Sequence, residues 1–154
     1  MPRKNYVLIT LTDTIPDGKI KTDMYTRTGK ISTFGGASDQ GVAPKETLAL
    51  YTSILARSLS QPIFNPCYCA MRWDYAAIAK ALETTRGLAV EALRHFNILV
   101  SANGKTVECC PCDWGPSADT GRLIDCGPHV LELLGVETDD IVSVTLPDAC
   151  ALKD

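Results

Sequence analysis

Histidine is scarce in this chain, with two among 154 residues. Both, His95 and His129, fall in stretches with helical patterning, which argues against a histidine-rich metal site or a His-based catalytic triad. No serine stands in a G-x-S-x-G elbow. The glycine-rich run from Gly35 to Gly41 lacks the Gly-Lys-Ser/Thr ending of a phosphate loop. Basic residues cluster only at Arg3-Lys4, and the formal net charge is −3. A broad nucleic-acid-binding surface is therefore not expected. No apolar run reaches the length of a membrane helix, so no membrane partner is expected either. Residues 1–20 show no signal-peptide core, because the apolar run Tyr6–Leu11 is short and polar residues follow at once. Export then needs another route, as for a phage lysis or virion protein or a domain cut from a longer chain.

Cysteine is abundant by contrast. Seven are present, Cys67, Cys69, Cys109, Cys110, Cys112, Cys126 and Cys150, and an odd number cannot all pair within one chain. Their C-x-C and C-C-x-C spacings differ from the paired C-x₂-C of a zinc site. We expect mostly reduced thiols acting as small hydrophobes in strands. Cys109 and Cys110 should point to opposite faces of their strand. No metal or other cofactor is expected.

The length suits one domain, 1–154, with helical insertions near 44–59 and 75–95. Its centre is the stretch from Asn97 to Leu134. Asn97–Ala102 is β-prone, Asn103-Gly104 is a two-residue hairpin signal, and Lys105–Cys112 returns as a second strand. Asp113-Trp114-Gly115-Pro116 breaks the ladder. Gly121–Cys126 resumes as a strand carrying Asp125, and Pro128 opens a short helix that Gly135 follows. Upstream, Tyr6–Thr12, Ile31–Phe34 and Cys67–Trp73 read as strands, and Ile141–Leu146 as the closing one. Pro44–Leu59 and Tyr75–Arg86 carry apolar residues at helical spacing, and Leu88–His95 continues as a short helix. Asp74 stands where it can cap the second of these. No internal repeat is visible.

The succession DWGP, GRLID, PHVLELLG and DIVSVTL resembles the second half of a double-psi β-barrel, as in the rare-lipoprotein-A-like domains. The likeness covers roughly residues 97–146, and Ser32–Gly41 resembles the family's glycine-rich N-terminal segment. It implies a mainly β chain folded as a six-stranded double-psi barrel with added helices, and a pseudo-twofold arrangement of strands. We expect Leu123–Asp125 as a short strand added to six others. The resemblance also implies a polysaccharide partner, the peptidoglycan glycan strand. The chain departs from the family pattern at Trp114, at Asp125-Cys126-Gly127, and in having no Thr-Ala-Asn-Gly-Glu segment.

Carboxylates are the chemistry left by these exclusions. Asp113 and Asp125 are the catalytic candidates, and the resemblance supports either one as the acid. Trp114 beside Asp113 supplies an apolar wall, and desolvation raises a carboxyl pKa toward what a general acid needs. Arg122 can pair with either carboxylate, leaving the other to keep its proton. This makes Asp113 the first choice and Asp125 the partner that fixes the loop. Asp39, Arg72, Trp73, Asp74, Trp114 and Arg122 are the substrate-binding candidates, Asp39 and Asp74 doubling as second carboxylates for a hydrolase. The expected activity is cleavage of the glycan strand by a single acid, as in a lytic transglycosylase. The alternatives are an expansin-like binding module, with Tyr68, Trp73, Tyr75 and Trp114 as platforms, and a structural virion protein. Oligomeric state is not readable from the chain.

Overall fold

The hairpin at the centre forms where its turn residues demand it. Asn103 and Gly104 hold φ of 53° and 73°, as a type I′ turn requires, and join strands Ile98–Ala102 and Lys105–Trp114. In the computed structural model, which describes residues 23–35, 48–51 and 65–154, these are β3 and β4. The other strands are β1, Met24–Thr33; β2, Tyr68–Met71; β5, Arg122–Cys126; and β6, Ile141–Pro147. They close into a barrel in the order β1-β5-β2-β4-β3-β6. The chain is a closed six-stranded β-barrel, mainly β with added helices.

Two of the six neighbouring pairs, β1–β5 and β2–β4, are parallel, and the rest are antiparallel. Exchanging β1, β2 and β3 for β4, β5 and β6 returns the same neighbours with the same orientations. The twofold likeness is one of topology, and the sequence carries no repeat to announce it.

Strand alternation builds the core. Ile31, Cys69, Met71, Ile98, Val100, Cys109, Ile124, Cys126, Val142, Val144 and Leu146 are buried together. A smaller cluster, Leu48, Tyr68, Cys110 and Cys112, sits apart from it. Cys109 thus joins the main core and Cys110 the second cluster, on opposite faces as the strand period requires. None of the seven cysteines is in a disulfide, and six of them are buried.

Three α-helices are described. α1, Tyr75–Ala81, is capped by Asp74, whose side chain accepts from the Ala77 amide at 3.1 Å. α2, Arg86–Leu93, starts at Thr85, whose hydroxyl accepts from the Leu88 amide. The expected single helix Tyr75–Arg86 is corrected: α1 stops at Ala81, the chain breaks at Glu83 with φ of 53°, and Arg86 already opens α2. α3, Pro128–Leu134, has proline in its first turn and left-handed Gly135 at its end.

Two other strand expectations are also corrected. Leu123–Asp125 is no addition: β5 lies in the barrel wall between β1 and β2. β1 begins at Met24, well before Ile31, because its first half pairs antiparallel with β6 from Met24↔Pro147 to Lys30↔Ile141. The expected strand Tyr6–Thr12 and most of the expected helix 44–59 lie outside the described residues; Ala49 and Leu50 form a turn. Among the described residues no helix is long and apolar enough to cross a membrane.

Candidate functional site

Each parallel pair carries a one-residue register shift. On β1–β5 it falls between Lys30 and Ile31, and on β2–β4 between Cys69 and Ala70. Such shifts re-aim side chains. Here they align Ser32 with Asp125 on one side and Ala70 with Asp113 on the other, while Ala70 also pairs with Asp125. The result is one row across four strands: Ser32, Asp125, Ala70, Asp113. With a single strand between them, the two aspartate backbones stand ~10 Å apart, two inter-strand spacings.

The two carboxylates meet different surroundings. Oδ1 of Asp113 accepts from the backbone amides of Ala49 at 2.9 Å and Trp114 at 2.8 Å. It ties the segment at Leu48–Tyr51 to the end of β4, helped by the Leu50 amide donating to the Cys112 carbonyl. Asp125 is half-buried, and its Oδ1 is buried with no hydrogen-bond partner. Burial pushes its carboxyl up to about 6 from 3.8. Arg122, the Ser32 hydroxyl and Arg72 oppose the rise, and the charge of Asp113 adds to it. Gly115, with φ of 134°, places its bare Cα beside this group: a Cβ there would stand 3.9 Å from Asp125 Oδ2.

The loop after β4 is fixed from both sides. The Trp73 indole donates to the Asp113 carbonyl at 2.9 Å, and the Trp114 indole donates to the Trp73 carbonyl at 3.0 Å. Trp114 nevertheless keeps 40% of its surface exposed, whereas Trp73 is fully buried in the core. The Gly115 amide donates to the Met71 carbonyl. Arg72 Nη1 donates to the carbonyls of Pro116 at 3.0 Å and Arg122 at 2.8 Å, clamping the loop to β5.

Asp113, Asp125, Arg72, Trp114 and Arg122 are thus gathered around one loop. Arg122 pairs with neither aspartate but with Asp139, through Nε at 2.8 Å. Asp139 is held with φ of 75° in the turn before β6, where its amide donates to the Ile31 carbonyl. Trp73 and Tyr68 are buried and present no face to a ligand, so the expectation of sugar platforms there is corrected. Asp74 is occupied as the cap of α1. Asp39 lies outside the described residues. Ser32 and Asp139 were not among the candidates. Alternation marks Ser32 as facing away from Ile31, but nothing local names its partner across a parallel pair.

Among the described residues no group of three or more His, Cys, Asp and Glu is arranged to hold a metal ion. No protein-family model matches the chain, and no curated protein matches it. Fold and site therefore define a closed six-stranded β-barrel with a desolvated aspartate in its wall.

Proposed function

We propose that the protein cleaves the glycan strand of peptidoglycan with Asp125 as its single general acid, in the manner of a lytic transglycosylase, on a barrel of the double-psi class. The observation that carries this reading is the Asp125 carboxyl: half-buried, with one buried oxygen that has no hydrogen-bond partner, and with Gly115 beside the other. A carboxyl that titrates near 6 holds a proton at mildly acid pH and can deliver it to a glycosidic oxygen. Attack by a hydroxyl of the sugar itself lets one carboxyl serve as acid and then base. A hydrolytic route needs a second carboxylate. Asp113 and Asp74 are each committed to backbone amides, which favours the single-acid route. Asp113 is then a positioning residue whose charge helps Asp125 keep its proton. The twofold exchange of strand pairings supports the double-psi reading, as do the DWGP and GRLID segments.

The exposed indole of Trp114 favours a second reading, a binding module that holds polysaccharide without cutting it. Digestion of purified peptidoglycan, with product masses, separates the two. Anhydro ends are expected from the wild type, with a rate falling about tenfold per pH unit above 6. Asp125→Asn should lower the rate by at least ~10²-fold. Co-sedimentation without products would leave the binding module in its place.

A further inference from the structure

A pocket of about 350 Å³ is lined by Arg27, Thr28, Arg72, Leu123, Leu152, Lys153 and Asp154. Its walls come from three places. Arg27 and Thr28 stand on β1, and Leu123 on β5 is the extra residue at the β1–β5 register shift, packed against the core beside Gly29. The third wall is the segment Ala151–Lys153, which runs against Arg72–Asp74. Trp73 and Leu152 form an antiparallel bridge, the Asp74 amide donates to the Ala151 carbonyl at 2.9 Å, and the Lys153 amide donates to the Arg72 carbonyl at 2.7 Å.

The charge of the lining is unbalanced. Three cationic side chains face one side-chain carboxylate, that of Asp154, whose Oδ1 sits 3.2 Å from Arg27 Nη2. That pair is exposed, 44% and 97% by side chain, so it holds weakly and exchanges with other anions. It sets a carboxylate oxygen against one guanidinium nitrogen of Arg27. Arg72 links the pocket to the acid. It lines the pocket, its Nε is buried without a partner, and its charge is felt at Asp125.

We infer that this pocket is a subsite for a carboxylate carried by the saccharide, held by Arg27 and Lys153 and taking the place of Asp154. The inference rests on the glycan reading for the identity of the ligand, and it makes the preferred substrate an acidic polysaccharide over a neutral one. Substrate contacts with Arg27 and Lys153 lie outside the proton-transfer step, so they govern binding more than chemistry.

The test is calorimetric titration of the full chain with a uronic-acid tetrasaccharide and with a neutral tetrasaccharide of equal length. The wild type should bind the acidic one at least about tenfold more tightly. Arg27→Ala and Lys153→Ala should each weaken acidic binding by about tenfold and leave the neutral sugar unaffected, with thermal melts showing that both variants fold. Asp154→Asn should tighten acidic binding, while Asp119→Asn, away from the pocket lining, should not. Equal binding of both sugars, or unchanged affinity in both alanine variants, overturns the subsite and leaves the acid at Asp125 standing. Selective acidic binding without cleavage of any glycan overturns the catalytic reading and supports the subsite. Binding of neither sugar overturns the subsite.

Discussion

Two aspartates in one row divide the work between them, and each division is measurable. The Asp125 carboxyl titrates near 6 in the fold and near 3.8 as a free side chain. Between those values the native state holds more protons than the unfolded one, so stability falls as pH rises, and it levels off above about 6. Asp125→Asn removes the charge that burial penalises. Its melting temperature should exceed that of the wild type at pH 8, and the gain should be absent at pH 4; melts across that range check the sign. The sequence alone points the other way, toward a destabilising Asp125→Asn, because it takes Asp125 as the loop anchor. The anchor is Asp113, whose Oδ1 serves two amides. Asp113→Ala should cost about 1 kcal/mol in urea unfolding, while Asp113→Asn keeps an acceptor oxygen and should stay near the wild type. Arg122 turns to Asp139, a residue in a later turn that no local pattern connects to it.

Among the elements, the hairpin β3–β4, the helix starts at Asp74 and Pro128 and the closing strand β6 were legible because their signals are local: turn residues, caps, alternation. β5 was legible as a strand and misread as an accessory. It is five residues long, and its partners β1 and β2 lie far away in sequence. Periodicity reports which face of a strand is apolar and says nothing of which strand it joins. The site shares this limit, since the row Ser32–Asp125–Ala70–Asp113 exists only through two non-local register shifts. The junction after β5 is correspondingly tight. A Cβ on Gly127 would stand 2.7 Å from the Pro66 carbonyl oxygen and 2.7 Å from the Tyr68 ring, and the Gly127 amide donates to the Tyr68 carbonyl. Backbone cannot give way as a flexible side chain can. Gly127→Ala should therefore destabilise by about 1–3 kcal/mol, read as a lower midpoint in denaturant.

For the molecule as a whole, the thiols record how completely the barrel is closed. Burial pushes Cys69 and Cys112 well above the ordinary thiol range, while Cys67 is only half-buried. A thiol reagent at pH 8 should label Cys67 quickly in the native protein and all seven cysteines after denaturation without reductant; a single reactive thiol after denaturation would contradict the reduced state. The order of the strands carries a further consequence, for how the chain comes off the ribosome. Every one of the six pairings joins a strand from β1–β3 to a strand from β4–β6. No ladder of the finished barrel lies within either half. A nascent chain that has released Met24 through Ala102 holds three strands with no native partner among the described residues of that half, and the first ladder of the barrel waits for the strand beyond Asn103-Gly104 to emerge. During that interval the exposed strand edges are open to other chains. Cutting the gene at the hairpin should yield two fragments, each without a sheet of its own, that become a barrel only on meeting.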